Sequence, residues 1–99
     1  LLTNLPEAAR PQVDAVLRAH GVTMAEDLTS LARWALACPA LPTCGLALTE
    51  AERVRAPLVA QIEAAMARHG LEGERVSLRI TGCPNGCSRP YSADIGLVG

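Results

Sequence analysis

The chain has 99 residues, 49% of them hydrophobic, and a formal net charge of −1. A chain this short buries only roughly 60–68% of its unfolded surface, and with one Trp, one Tyr and no Phe its small core must be aliphatic. Nine Arg and no Lys against ten acids, evenly spread and almost without aromatic rings, exclude a nucleic-acid surface. No apolar run reaches the length of a membrane span, and the first residues lack the charged-then-apolar layout of a signal peptide, so a cytoplasmic protein without a membrane partner is expected. The chain starts without Met and stops at DIGLVG as a strand gets under way, which reads as a piece of a larger protein.

In chain order, Asn4 is expected to cap a short turn over LPEAAR. Pro11 suits the first turn of a helix over about 11–20, with Val13, Val16 and Leu17 inward and Gly21 stopping it. LTSLARWALA supports both helical and extended readings, with a short helix or turn near 24–32 followed by an extended run into Cys38. Pro39 and Pro42 rule out regular structure up to Cys44. Thr49 and Glu52 read as a capping box for the next helix. Pro57 either kinks that helix or restarts it; Leu58, Val59, Ile62, Ala65 and Met66 follow at helical spacing, and Gly70 ends it. RVSLRIT (75–81) alternates, with Val76, Leu78 and Ile80 on one face, and ADIGLV (93–98) reads as a second, shorter strand.

The four cysteines form two tight pairs, Cys38 and Cys44 in ACPALPTC and Cys83 and Cys87 in TGCPNGC. Four soft thiolates embedded in Pro, Gly and small residues suit a metal or an iron–sulfur cluster. Gly82 and Gly86 let backbone amides approach sulfur, and the long helix between the pairs can bring them together. The spacings C-x5-C and C-x3-C fit a structural zinc site less well than a cluster. Disulfides suit a chain without a secretion signal poorly. His20 and His69 each precede a helix-ending Gly and read as helix-end residues rather than ligands. Trp34 reads as core packing. Asn85 and Arg89 suit a turn and a surface charge, but beside an anionic cofactor either can donate hydrogen bonds to a carboxylate.

ACPALPTCGLALTEAER and RITGCPNGCSRPYSADIGLVG resemble the cluster-binding segment of sulfite reductase haemoproteins, in the nitrite/sulfite reductase family; the match is dense over 37–53 and 79–99. The resemblance implies that Cys38, Cys44, Cys83 and Cys87 hold a 4Fe-4S cluster, and that Cys87 is also the axial ligand of a sirohaem. It implies a parent enzyme that reduces sulfite to sulfide with six electrons, taken from ferredoxin or from an NADPH-dependent flavoprotein reductase. The forms CPALPTC and GCPNGC are sulfite-like rather than nitrite-like. No counterpart of the family's substrate-binding Arg and Lys motifs is found, so no catalytic residue is assigned here and the segment alone should be inactive. Nitrite reduction within the same family, or a non-catalytic zinc-stabilised or ferredoxin-like electron-transfer module, are the alternatives.

The fold expected is α/β (α+β), with helices packed on a small sheet, as a fragment of the larger sirohaem-binding nitrite/sulfite reductase domain. Residues 1–35 form a helical lead-in, and 36–99 the incomplete iron–sulfur and sirohaem-binding segment. Both cysteine loops should lie at one end of the sheet.

Overall fold

The structure is a computed structural model and describes residues 3–99. A 3-10 turn (Glu7–Ala9) leads into α1 (Arg10–Ala19); a second 3-10 turn (Ala25–Asp27) precedes α2 (Ser30–Trp34), which runs directly into β1 (Ala35–Ala37). Helix α3 (Glu52–Arg68) connects β1 to β2 (Leu78–Thr81), and a third 3-10 turn (Pro90–Ser92) precedes β3 (Ile95–Val98). The fold is α/β, as expected.

The three strands form one sheet in the order β1-β2-β3, parallel throughout, with Ala37 opposite Ile80 and Ile80 opposite Leu97. Parallel neighbours need a long crossover. Helix α3 provides the first, and the loop with the third 3-10 turn provides the second. The alternation expected around Val76, Leu78 and Ile80 holds: Val76 is half-buried, while Leu78 and Ile80 in the central strand are buried. They pack with Leu31 of α2 and Val59 of α3, and Ala40 and Ala51 complete the buried core.

Helix α3 buries the stripe foreseen for it, with Val59 buried and Leu58, Ile62, Ala65 and Met66 half-buried. It runs continuously through Pro57 rather than restarting there. The ring is on the exposed side and removes a single helical hydrogen bond, which Arg53, also exposed, can make to water instead. The capping box does not form: Ala51 is the N-cap and no side chain caps the helix. Thr49 instead donates its backbone N–H to the Gly82 carbonyl, 3.1 Å away, which draws it towards the end of β2. The cap that does form is Thr29 on α2, whose Oγ1 accepts from the Ala32 N–H at 3.1 Å and also bonds the Glu63 carboxylate of α3. Gly21 and Gly70 both have φ of +69°, the left-handed conformation that ends a helix, and His20 and His69 occupy the C-cap positions before them.

Three further expectations are corrected. Asn4 has φ of +60° and caps nothing, the first turn being preceded by Pro6. Val16 is 57% exposed and α1 has no buried residue. That helix is tied back by Arg18, whose guanidinium meets Asp27 at 2.9 Å and Glu26 at 2.8 Å. Trp34 is 37% exposed rather than in the core, and the Arg75 guanidinium lies over its ring, 4.0 Å from the centroid.

The radius of gyration is 16.1 Å, against about 13 Å for a compact domain of 100 residues. Both edge strands carry exposed apolar side chains, Leu36 on β1 and Leu97 and Val98 on β3. Among the described residues, no helix is long and apolar enough to cross a membrane.

Candidate functional site

Strands β1 and β2 run in the same direction, so the loops that follow them leave from the same end of the sheet. Cys38 follows Ala37 at the end of β1, and Gly82 and Cys83 follow Thr81 at the end of β2. The Cys38 N–H donates to the Ile80 carbonyl at 3.0 Å and extends the ladder by one bond. The two cysteine pairs, far apart in sequence, therefore start side by side, as expected.

The first loop folds back on itself. Pro39 and Pro42 deny it regular structure, and the Leu41–Pro42 peptide is cis. Fully buried Ala40 has φ of +52°, and its carbonyl accepts from the Cys44 N–H at 2.7 Å. The Cys44 carbonyl accepts from Ala47 at 3.1 Å, and the Cys38 carbonyl from Glu52 at 3.1 Å, so both cysteine carbonyls are held. The Gly82 carbonyl takes the N–H groups of Leu48 and Thr49 at 2.7 and 3.1 Å and joins this loop to the end of β2.

The second loop is a tight turn. Gly86 (φ +66°) donates to the Cys83 carbonyl at 3.3 Å and accepts from Arg89 at 2.7 Å. Buried Ser88 donates its hydroxyl to the Ile80 carbonyl at 2.7 Å, and the Tyr91 hydroxyl donates to the Pro84 carbonyl at 3.1 Å. These bonds fix the backbone on both sides of Cys87.

The four thiols are free and differ in exposure: Cys83 is buried, Cys38 and Cys44 are half-buried, and Cys87 is exposed. Cys38 is held most tightly. Its Sγ accepts from the Gly82 N–H at 3.3 Å and lies 3.7 Å from the Thr81 hydroxyl. Burial pushes this thiol up, but the Gly82 amide and the Thr81 hydroxyl outweigh it, and its pKa falls below the ordinary thiol value. An amide and a hydroxyl beside the sulfur favour its thiolate form, the form in which a cysteine binds metal.

The chemistry of the donor set suits a cluster. Four soft sulfur donors sit on two loops pressed together at Gly82, where no side chain fits. Among the described residues, no group of three His, Cys, Asp or Glu side chains converges to hold one metal ion. A cluster spreads its thiolates over several irons, so its ligands need not meet at one point. Asn85 and Arg89 are both exposed, Asn85 within the second loop and Arg89 just beyond it; Arg89 has φ of +57° and turns the chain into the third 3-10 turn. His20 and His69 are exposed at their helix ends. Trp34 and Arg75 precede β1 and β2 respectively, at the opposite end of the sheet from the cysteines. The sequence reading passed over Thr81 and Ser88, the two buried polar residues flanking the second pair. Their signal was a hydroxyl residue close to a cysteine, Thr81 at the end of β2 two positions before Cys83 and Ser88 in the turn directly after Cys87.

Comparison with known proteins supplies the relatives. No family model matches the chain. It is 46% identical over 99 residues to the sulfite reductase (NADPH) hemoprotein beta-component of Methylorubrum populi, covering all of this chain and 16% of that protein. The protein of the same name from Bordetella petrii is also 46% identical over 99 residues, of which the chain spans 17%. Among solved structures, the NirA protein of Mycobacterium tuberculosis superposes with a TM-score of 0.73 at 26% identity, covering 98% of this chain and 18% of that one. The chain thus spans about a sixth of the length of the relatives it matches. Over its whole length it is a homologue of one segment of the sulfite reductase hemoprotein beta-component, within the nitrite/sulfite reductase family.

Proposed function

We propose that this chain is the segment of a sulfite reductase that holds a 4Fe-4S cluster and presents it to a sirohaem. The observation that carries the proposal is the pairing of β1 with β2, which starts both cysteine loops at one end of the sheet. Cys38, Cys44, Cys83 and Cys87 are the cluster ligands in this reading. Residues 1–35 serve as a lead-in and 36–99 as the cluster-holding segment.

When bound, the cluster and sirohaem supply the redox chemistry: storage of electrons and their delivery to substrate sulfur, six electrons and six protons taking sulfite to sulfide. This chain's own groups bind and orient. Buried Cys83 and the hydrogen-bonded Cys38 anchor the inner side. Cys87 is the thiol that faces outward, which supports its role as the sulfur shared with the haem iron. A thiolate can serve two irons because sulfur keeps several lone pairs. Asn85 and Arg89, exposed near Cys87, are available to hydrogen-bond a carboxylate of the haem. The substrate-binding cations and proton donors belong to the remainder of the parent chain, so the segment alone has no activity. The relatives' names support an NADPH-linked flavoprotein donor over ferredoxin, and sulfite over nitrite as substrate. The cytoplasm is the compartment that suits unprotected thiolates.

The test is iron, acid-labile sulfide and visible absorption on the intact parent protein. Five irons to four labile sulfides, the fifth iron being that of the sirohaem, together with sirohaem bands, are expected. Stoichiometric zinc without sulfide, or a cluster without sirohaem bands, overturns the reading.

A further inference from the structure

Thr81 looks in the sequence like the last residue of a strand and nothing more. In the structure it is 1% exposed, and its hydroxyl lies between the two cysteine loops. Oγ1 is 3.7 Å from the Cys38 sulfur and 3.3 Å from the Cys83 carbonyl oxygen. A threonine hydroxyl has one proton to give and lone pairs to receive. While Cys38 is a thiol, its S–H can donate to Oγ1 and the hydroxyl can donate onward to Cys83, which satisfies both contacts.

A ligating thiolate has no proton. The hydroxyl then faces an anionic sulfur on one side and a neutral carbonyl on the other. A hydrogen bond to a charged acceptor is roughly twice as strong as one between neutral groups. The carbonyl is not abandoned when the hydroxyl turns away, because the Gly86 N–H still donates to it at 3.3 Å.

We propose that Thr81 is a positioning residue of the cysteine site: its hydroxyl turns from the Cys83 carbonyl to the Cys38 sulfur when that sulfur becomes a ligand, and with the Gly82 amide it holds the ligand and favours the reduced, more negative cluster. This rests on the cluster reading above. Donors to ligand sulfur stabilise the extra electron and raise the reduction potential.

The test compares Thr81→Val, which keeps the shape and removes the hydroxyl, with Thr81→Ser, which keeps the hydroxyl, in the full-length parent protein. The midpoint potential of the cluster is read by redox titration. Thr81→Val should disfavour the reduced form roughly tenfold, about 59 mV more negative for one electron, and Thr81→Ser should stay within about threefold of the parent. Where loading is impaired, loss of iron and labile sulfide in the Val protein with normal content in the Ser protein supports the same role. An unshifted Val protein, or equal effects of Val and Ser on potential or loading, overturns it. Absence of iron and sulfide from the unsubstituted parent is a separate result, which removes the cluster reading and this proposal with it.

Discussion

A side-chain carbon built on Gly82 would stand 2.6 Å from the Cβ of Ala40. The same carbon would be 2.7 Å from the Thr49 carbonyl oxygen, which is backbone and cannot swing aside. The first cysteine loop is thus seated directly on the start of the second, and the absence of one methyl group permits it.

Gly82→Ala should force the two loops apart. Overpacking of this kind costs about 1–3 kcal/mol, and it displaces the amide that donates to Cys38. The expected outcome is a lowered urea midpoint for the chain and loss of iron from the parent protein. Unchanged stability together with normal cluster content would contradict the close seating.

Cys87→Ser in the parent protein tests the shared-sulfur role. It should abolish the spectroscopic coupling between cluster and haem and eliminate sulfite reduction. Persistence of cluster, sirohaem and activity together would refute the ligand assignment.

Asp94 gives a pH dependence. Its carboxylate accepts from the Ser77 N–H at 2.8 Å and the Ser77 hydroxyl at 2.6 Å. These bonds hold its pKa below the ordinary carboxylate value. A group whose folded pKa is depressed adds stability above its unfolded pKa and loses it as pH falls through the folded value. Urea midpoints should therefore decline below about pH 4, and Asp94→Asn should flatten that decline. An identical pH profile in the variant would remove Asp94 as its source.

The stacking of Arg75 on Trp34 joins the end of α2 to the segment before β2, at the end of the sheet away from the cysteines. A double-mutant cycle of Trp34→Ala and Arg75→Ala should give a coupling of about 0.5–1 kcal/mol. Additive effects of the two substitutions would show that the contact contributes nothing.

Local chemistry was legible in the sequence wherever one residue decides the backbone. Pro39 and Pro42 kept the first loop irregular, Gly21 and Gly70 ended helices, and alternation marked Leu78 and Ile80 as core. The reading failed where a distant partner competes. Thr49 looked like a cap, but its backbone is drawn to the Gly82 carbonyl. Val16 had the spacing of a buried stripe, yet it is left 57% exposed. Trp34 stays 37% exposed, and the Arg75 guanidinium lies over its ring instead of core side chains.

The sequence alone determined where the four thiols lie, in two loops whose Pro and Gly residues bar helix and strand. It could not determine that the loops meet. Cys38 and Gly82 stand 44 positions apart, and parallel strand pairing over such a separation depends on how α3 packs across the sheet rather than on any local preference. The tertiary structure decided that meeting. It placed buried Thr81 between the loops and left Cys87 facing outward, because the register of β1 against β2 fixes which residues emerge together at the sheet's end.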